Sequence, residues 1–202
     1  MSVIAVREWI AGADSALPDY AGLPPWALTA AAADIVRAIV AQCGDDYRFE
    51  GEAAIHRSAE VERGATLKGP TYVGPDCFIA SGALLRGGCW LERGCIVGPG
   101  GELKTSFMFA GSKLAHLNFV GDSVLGAGVN VEAGAMIANY RNERSDKRIR
   151  IRRAAALIDT GVDKFGALVG DGARIGANAV IAPGAIIGVN EIVPRLGLID
   201  QS

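Results

Sequence analysis

Aliphatic residues recur every six positions along most of this chain. Ile55, Val61, Leu67, Val73, Ile79, Leu85, Leu91, Val97 and Leu103 form one unbroken run. Val169, Ile175, Ile181, Ile187 and Val193 form a second, and Leu125, Val131 and Ile137 keep the period between them in a shifted phase. A period of six fits neither an amphipathic helix nor an isolated alternating strand. It fits a solenoid in which each hexad is one short strand and one turn, and three hexads close a triangular coil. The aliphatic points to the axis and stacks on its counterpart eighteen residues on, with coils about 4.8 Å apart. One such coil cannot bury its inner face alone, so many must stack. The prediction is an all-β chain, a left-handed parallel β-helix of hexapeptide repeats.

Composition agrees. The chain has 202 residues, 27 of them glycine, and only 6% are aromatic, which suits tight turns around a narrow core. The fifth position of each hexad also points inward and is small: Ala59, Ala65, Thr71, Cys77, Ala83, Cys89 and Cys95. Three of the four cysteines are thereby explained as core fillers. The net charge of −2 offers no basic field for nucleic acid. Arg7 and Glu8 interrupt the first apolar run before it reaches signal-peptide length, and no long uncharged apolar stretch follows. The expected compartment is the cytoplasm, with no membrane partner.

Two segments lie outside the repeat. Residues 1–48 contain Pro24-Pro25 and then WALTAAAADIVRAIVAQCG, which predicts a helix over 25–42 as an N-terminal cap on the solenoid of residues 49–202. The basic stretch RNERSDKRIRIRR, 141–153, breaks the repeat. It is expected either as a solvated loop or hairpin, or as an arm reaching a neighbouring subunit.

Only His56 and His116 carry imidazoles. A site needing three histidines for zinc cannot be built from them, and no metal is expected. His116, in SKLAHLNFVGD, sits where the hexad phase changes. An imidazole there suits general-base work at neutral pH.

The segment GELKTSFMFAGSKLAHLNFVGDSVLGAGVNVEAGAMIANYRN resembles the acetyltransferase domain of the bifunctional N-acetylglucosamine-1-phosphate uridylyltransferase/glucosamine-1-phosphate acetyltransferases. The later DKFGALVGDGARIGANAVIAPGAIIG is more similar to the archaeal sugar-1-phosphate nucleotidylyltransferase branch. The resemblance implies a homotrimeric N-acetyltransferase that uses acetyl-CoA on an amino-sugar phosphate such as glucosamine-1-phosphate. It makes His116 the catalytic base, puts Arg86 and Lys104 on the phosphate, and puts Asn130, Asn139 and Tyr140 on the sugar. Lys147 matches, approximately, a basic residue that reaches the site from a neighbour. Phe119 stands where the family has a sugar-binding tyrosine, so one hydroxyl contact is lost. Arg174 and Arg195 are candidates for the CoA phosphates, because the family's C-terminal arm is short here. No glycine-rich nucleotide loop followed by lysine occurs in residues 1–50, so nucleotidyltransferase activity is not expected. Two other readings stand beside this one: an acyltransferase on a nucleotide-linked amino sugar or with an acyl-carrier donor, and a non-catalytic trimeric binding module.

Overall fold

The computed structural model describes residues 4–153 and 156–201, and residues 53–199 wind as the predicted left-handed β-helix. Its three faces each stack seven rungs of parallel strand. The second face, for example, runs Glu60–Val61, Phe78–Ile79, Ile96–Val97, Lys113–Leu114, Asn130–Val131, Arg174–Ile175 and Ile192–Val193. The hexad aliphatics line the prism in three columns, and Cys77, Cys89 and Cys95 are buried among them as the repeat predicts.

The phase changes are single-residue deletions. Inward residues step from Leu103 to Met108 and from Val120 to Leu125, five positions each. Both deletions fall at the corner between the third and first faces. One coil earlier that corner holds two residues, Gly87 (φ 75°) and Gly88 (φ 99°). In the shortened coils one residue turns it alone, Thr105 (φ 50°) and then Asp122 (φ 45°), both left-handed. The tighter corner leaves the N–H groups of Ser123 and Ala167 to side-chain acceptors, and two fully buried serines take them up. Ser106 Oγ donates to Lys104 O (2.7 Å) and accepts from Ser123 N (2.9 Å). Ser123 Oγ donates to Gly121 O (2.7 Å) and accepts from Ala167 N (3.0 Å). Each hydroxyl does the work of a missing peptide group.

The first face is apolar outside as well as inside. Ala54, Tyr72, Trp90, Phe107, Val124, Leu168 and Ile186 stand in register on its outer side. The N-terminal segment packs on this column, with Ile4, Val6, Ile10, Leu28, Ala32, Ile35 and Val36 buried against it. Gly88 lets the helix Ala32–Val40 come close, since a Cβ there would meet Ala33 N at 2.6 Å. The helices of the segment thus lie along a side of the prism, while Tyr47–Glu50 pairs antiparallel with the first rung, Ala53–His56, at the N-terminal edge. Trp90, Phe107 and Leu168 explain the choice. Burying each contributes about 1.5–3 kcal/mol. The single helix expected over 25–42 is two, Pro25–Ala30 and Ala32–Val40. Thr29 Oγ1 donates back to Trp26 O (3.3 Å), a bond that bends helices at this position.

The insertion leaves after Met136–Ile137 and returns at Ala167–Val169. Inside it Arg150–Arg153 pairs antiparallel with Ala156–Asp159, and Ile149, Ile151 and Phe165 join the apolar cluster on the first face. The basic charges are met within the chain: Arg150 by Asp146 (2.8 Å), Arg153 by Glu8 (3.4 Å) and Arg148 by Asp163 (3.8 Å). Arg141 is buried and paired with Asp200 (2.8 Å). Among the described residues no helix is long and apolar enough to cross a membrane.

Candidate active site

On the third face, Arg86 and Lys104 lie side by side on neighbouring rungs. Phe119 stands one rung further, next to Glu102. Asn139 and Tyr140 open the insertion and Lys164 ends it. Together Arg86, Lys104, Phe119, Asn139, Tyr140 and Lys164 line a cleft of about 460 Å³. The structure therefore gathers five of the sequence candidates and adds Lys164. Lys147 stays close by. Its Nζ donates to Arg141 O (3.1 Å) and Asn142 O (2.9 Å) and lies 5.1 Å from the Tyr140 ring centroid.

The cleft's cations are partly offset. Arg86 meets Glu102 Oε1 at 2.6 Å, and Lys104 Nζ meets Asp122 Oδ2 at 2.7 Å. Asn139 Nδ2 donates to the same Asp122 oxygen. Against the two carboxylates Glu102 and Asp122 stand three cations, Arg86, Lys104 and Lys164, which leaves a net charge of +1. Gly121 makes room for two of the lining side chains. A Cβ there would lie 2.8 Å from Asn139 Cγ and 2.9 Å from Phe119 Cζ, so only glycine lets both side chains lie across this rung.

Asn130 is elsewhere. It shares a second cleft of about 370 Å³, on the second face, with Glu132, Arg174, Pro194 and Arg195. Arg195 pairs with Glu132 at 2.9 Å and holds that carboxyl below the usual carboxylate range. Asn130 and Arg174 are register neighbours on adjacent rungs. The sequence reading placed Asn130 with the sugar and Arg174 with the donor. Within one chain they line the same groove.

His116 lines neither cleft. It is exposed on the corner between the two faces, followed by Leu117 in a left-handed conformation (φ 53°). Its own hexad step, Leu114 to Val120, is regular, and the phase breaks flank it on either side. Among the described residues no side chain bonds to its imidazole. The corner runs on to Arg195–Leu196 in the last coil, three rungs away or about 14 Å at the usual spacing. His56 is half-buried, bonded to Ser58 Oγ (2.8 Å) and edge-on to Tyr47, a structural position. Asp122 and Lys164 are the site residues that sequence reasoning missed. The signal for Asp122 was the five-residue step from Val120 to Leu125.

No family model matches the chain. A bifunctional sugar-1-phosphate nucleotidylyltransferase/acetyltransferase of Sulfurisphaera tokodaii is 35% identical over 144 residues, covering 71% of this chain and 35% of that protein. The bifunctional protein GlmU of Nitratidesulfovibrio vulgaris (strain DSM 19637 / Miyazaki F) is 32% identical over 164 residues, covering 73% and 32%. The chain thus spans about a third of the length of the curated relatives it matches. Among solved structures, the BC4754 gene product of Bacillus cereus superposes with a TM-score of 0.51 at 13% identity, covering 69% of this chain and 71% of that one, a likeness of fold. The chain is a hexapeptide-repeat β-helix protein, homologous to part of the GlmU and sugar-1-phosphate nucleotidylyltransferase/acetyltransferase proteins.

Proposed function

We propose that the chain is an acyl-CoA-dependent N-acetyltransferase acting on an amino-sugar phosphate such as glucosamine-1-phosphate, with His116 as general base. The observation that carries this reading is the third-face cleft, where Arg86, Lys104 and Lys164 converge beside Asn139 and Tyr140 in a homologue of named acetyltransferases. An excess of one positive charge and a guanidinium fork suit a phosphate, and the amide and phenol suit sugar hydroxyls.

In this reading the donor lies along the corner shared by the two faces. Its thioester sits near His116 and its phosphates sit toward Arg174 and Arg195. The acceptor amine attacks the thioester carbonyl as His116 removes a proton from it. The tetrahedral oxyanion is met by backbone N–H groups. Collapse expels the CoA thiolate, which takes the proton back from the imidazolium.

The assembly is a homotrimer, with each site completed between copies. Support comes from the third face itself. Phe119, Met136, Val180 and Leu198 form an outward column in register, and the last three are exposed. An apolar column left open by its own chain suits cover by a second copy. The acyl-carrier reading loses its main support, because Arg148, Arg150 and Arg153 already have acidic partners.

The test is CoA thiol release from acetyl-CoA with glucosamine-1-phosphate, comparing wild type with His116→Ala by mass-resolved product detection. Turnover by the wild type and its loss in a folded His116→Ala protein are expected. A folded wild type that acetylates no amino-sugar phosphate would overturn the reading and leave the binding module.

A further inference from the structure

We propose that Asp122 is a positioning residue of the third-face cleft, acting through Lys104 and Asn139. The kinetic part of this proposal rests on the acyl-transfer reading above. The geometric part does not.

Three successive coils meet at this carboxylate. Lys104 ends one rung, Asp122 turns the corner of the next, and Asn139 follows the rung after that. A single oxygen, Oδ2, takes both the Lys104 ammonium and the Asn139 amide. The side chain of Asp122 is 8% exposed, and its neighbour across the pair, Lys104, is 17% exposed. Asp122 therefore sits under the cleft and its two donors line it. Its backbone is fixed as firmly: N donates to Lys104 O (2.8 Å) and O accepts from Gly166 N (2.9 Å).

The left-handed corner is what brings the carboxylate under the cleft. With two glycines, as at Gly87–Gly88, no side chain leaves this point at all. Deleting one residue puts a single Cβ there, and aspartate is among the few residues that accept φ 45° at low cost. The long Lys104 side chain would otherwise sample many rotamers above an open face, and ordering it on binding costs free energy. Held at 2.7 Å by Asp122, it is ordered in advance. The same oxygen holds the Asn139 amide, whose side chain lines the cleft. Asp122 thus sets where the acceptor's polar groups are met, without lining the cleft itself.

Two measurements separate this from a merely structural role. Asp122→Asn keeps the volume and tolerates the backbone, but an amide cannot offer a charged oxygen to both donors. The Michaelis constant for the acceptor is expected to rise roughly tenfold or more, while that for acetyl-CoA stays within about twofold. Combining Asp122→Asn with Lys104→Ala should cost less than the sum of the two single losses, the remainder being the part carried by Asn139. Equal rises in both Michaelis constants, or additive losses, would overturn the proposal.

The second measurement needs no activity. Under limiting acetic anhydride, Lys104 should label slowly in the wild type and faster in Asp122→Asn, with the other lysines unchanged by mass spectrometry. If Asp122→Asn does not assemble, Asp122→Gly serves, since glycine suits this corner one coil earlier. Unchanged Lys104 labelling sinks the proposal. Faster labelling in the variant, with a wild type that acetylates no amino-sugar phosphate, leaves the hold on Lys104 standing and removes the function instead.

Discussion

Ser123→Ala tests whether buried hydroxyls replace the residues missing from the shortened coils. Ser123 is fully buried, and its Oγ both donates to Gly121 O and accepts from Ala167 N. Alanine removes both bonds. A buried backbone group without a partner costs about 1–3 kcal/mol, so two such groups put the loss at roughly 2–6 kcal/mol. For a chain of this length each kcal/mol moves the melting temperature by about 2–4 °C, which predicts a fall of roughly 4–24 °C. The assay is calorimetry at fixed protomer concentration, with the exposed Ser81→Ala as a control expected within about 0.5 kcal/mol of wild type. Ser106 accepts from Ser123 N, so Ser106→Ala and Ser123→Ala share one network and the double variant should fall short of additivity. A loss under about 0.5 kcal/mol for Ser123→Ala would refute the idea that the hydroxyl closes the corner.

Leu117→Asn is expected to stabilise the protein by about 1 kcal/mol, read as a higher melting temperature, because leucine is strained at φ 53° and asparagine occupies the same corner at Asn178 (φ 55°). Leu117 is 70% exposed, so little burial is lost, and a lower melting temperature would contradict the strain. Thiol labelling of the native protein should modify Cys43 alone, since Cys77, Cys89 and Cys95 lie inside the prism and burial pushes the Cys89 thiol up to about 11. Rapid reaction of more than one thiol per chain without unfolding would show that the prism opens.

The solenoid was legible because the hexad is a direct record of what points inward. Each aliphatic from Ile55 to Leu103 faces the axis, whereas the shifted phase at Leu125, which in sequence reads as an insertion, comes from two single-residue deletions. The place of the loss was less clear. His116 looked like the break because it lies between the two phases, yet it sits in a regular step. The deletions are at Thr105 and Asp122, where only backbone geometry distinguishes a corner of one residue from a corner of two. Arg86, Lys104, Phe119, Asn139 and Tyr140 come together because rungs eighteen or seventeen residues apart stack. Lys164 joins them only because the insertion folds back to where it left, and no repeat encodes a return path.

The outward faces were harder to read than the inward ones, and for a physical reason. On the first face Tyr72, Trp90, Phe107 and Leu168 point away from the axis and are covered by the N-terminal segment and by Ile149 and Ile151. On the third face Met136, Val180 and Leu198 also point away, and nothing in this chain covers them. In sequence both columns look alike, apolar residues at the position between inward ones. What separates them is where a non-repeating segment of some forty residues comes to rest, and that is decided by competition between faces. The column with three aromatics, Tyr72, Trp90 and Phe107, gains more from cover, so the chain's own helices take it. The smaller aliphatic column is left open, and it lies on the same face as the phosphate-suited cleft. A second copy seated there would bury the column and wall the cleft in one step. This ties the proposed assembly to the proposed activity: a charged residue at Val180, which is not among the residues lining the cleft, should weaken a trimer built on this face and its turnover together.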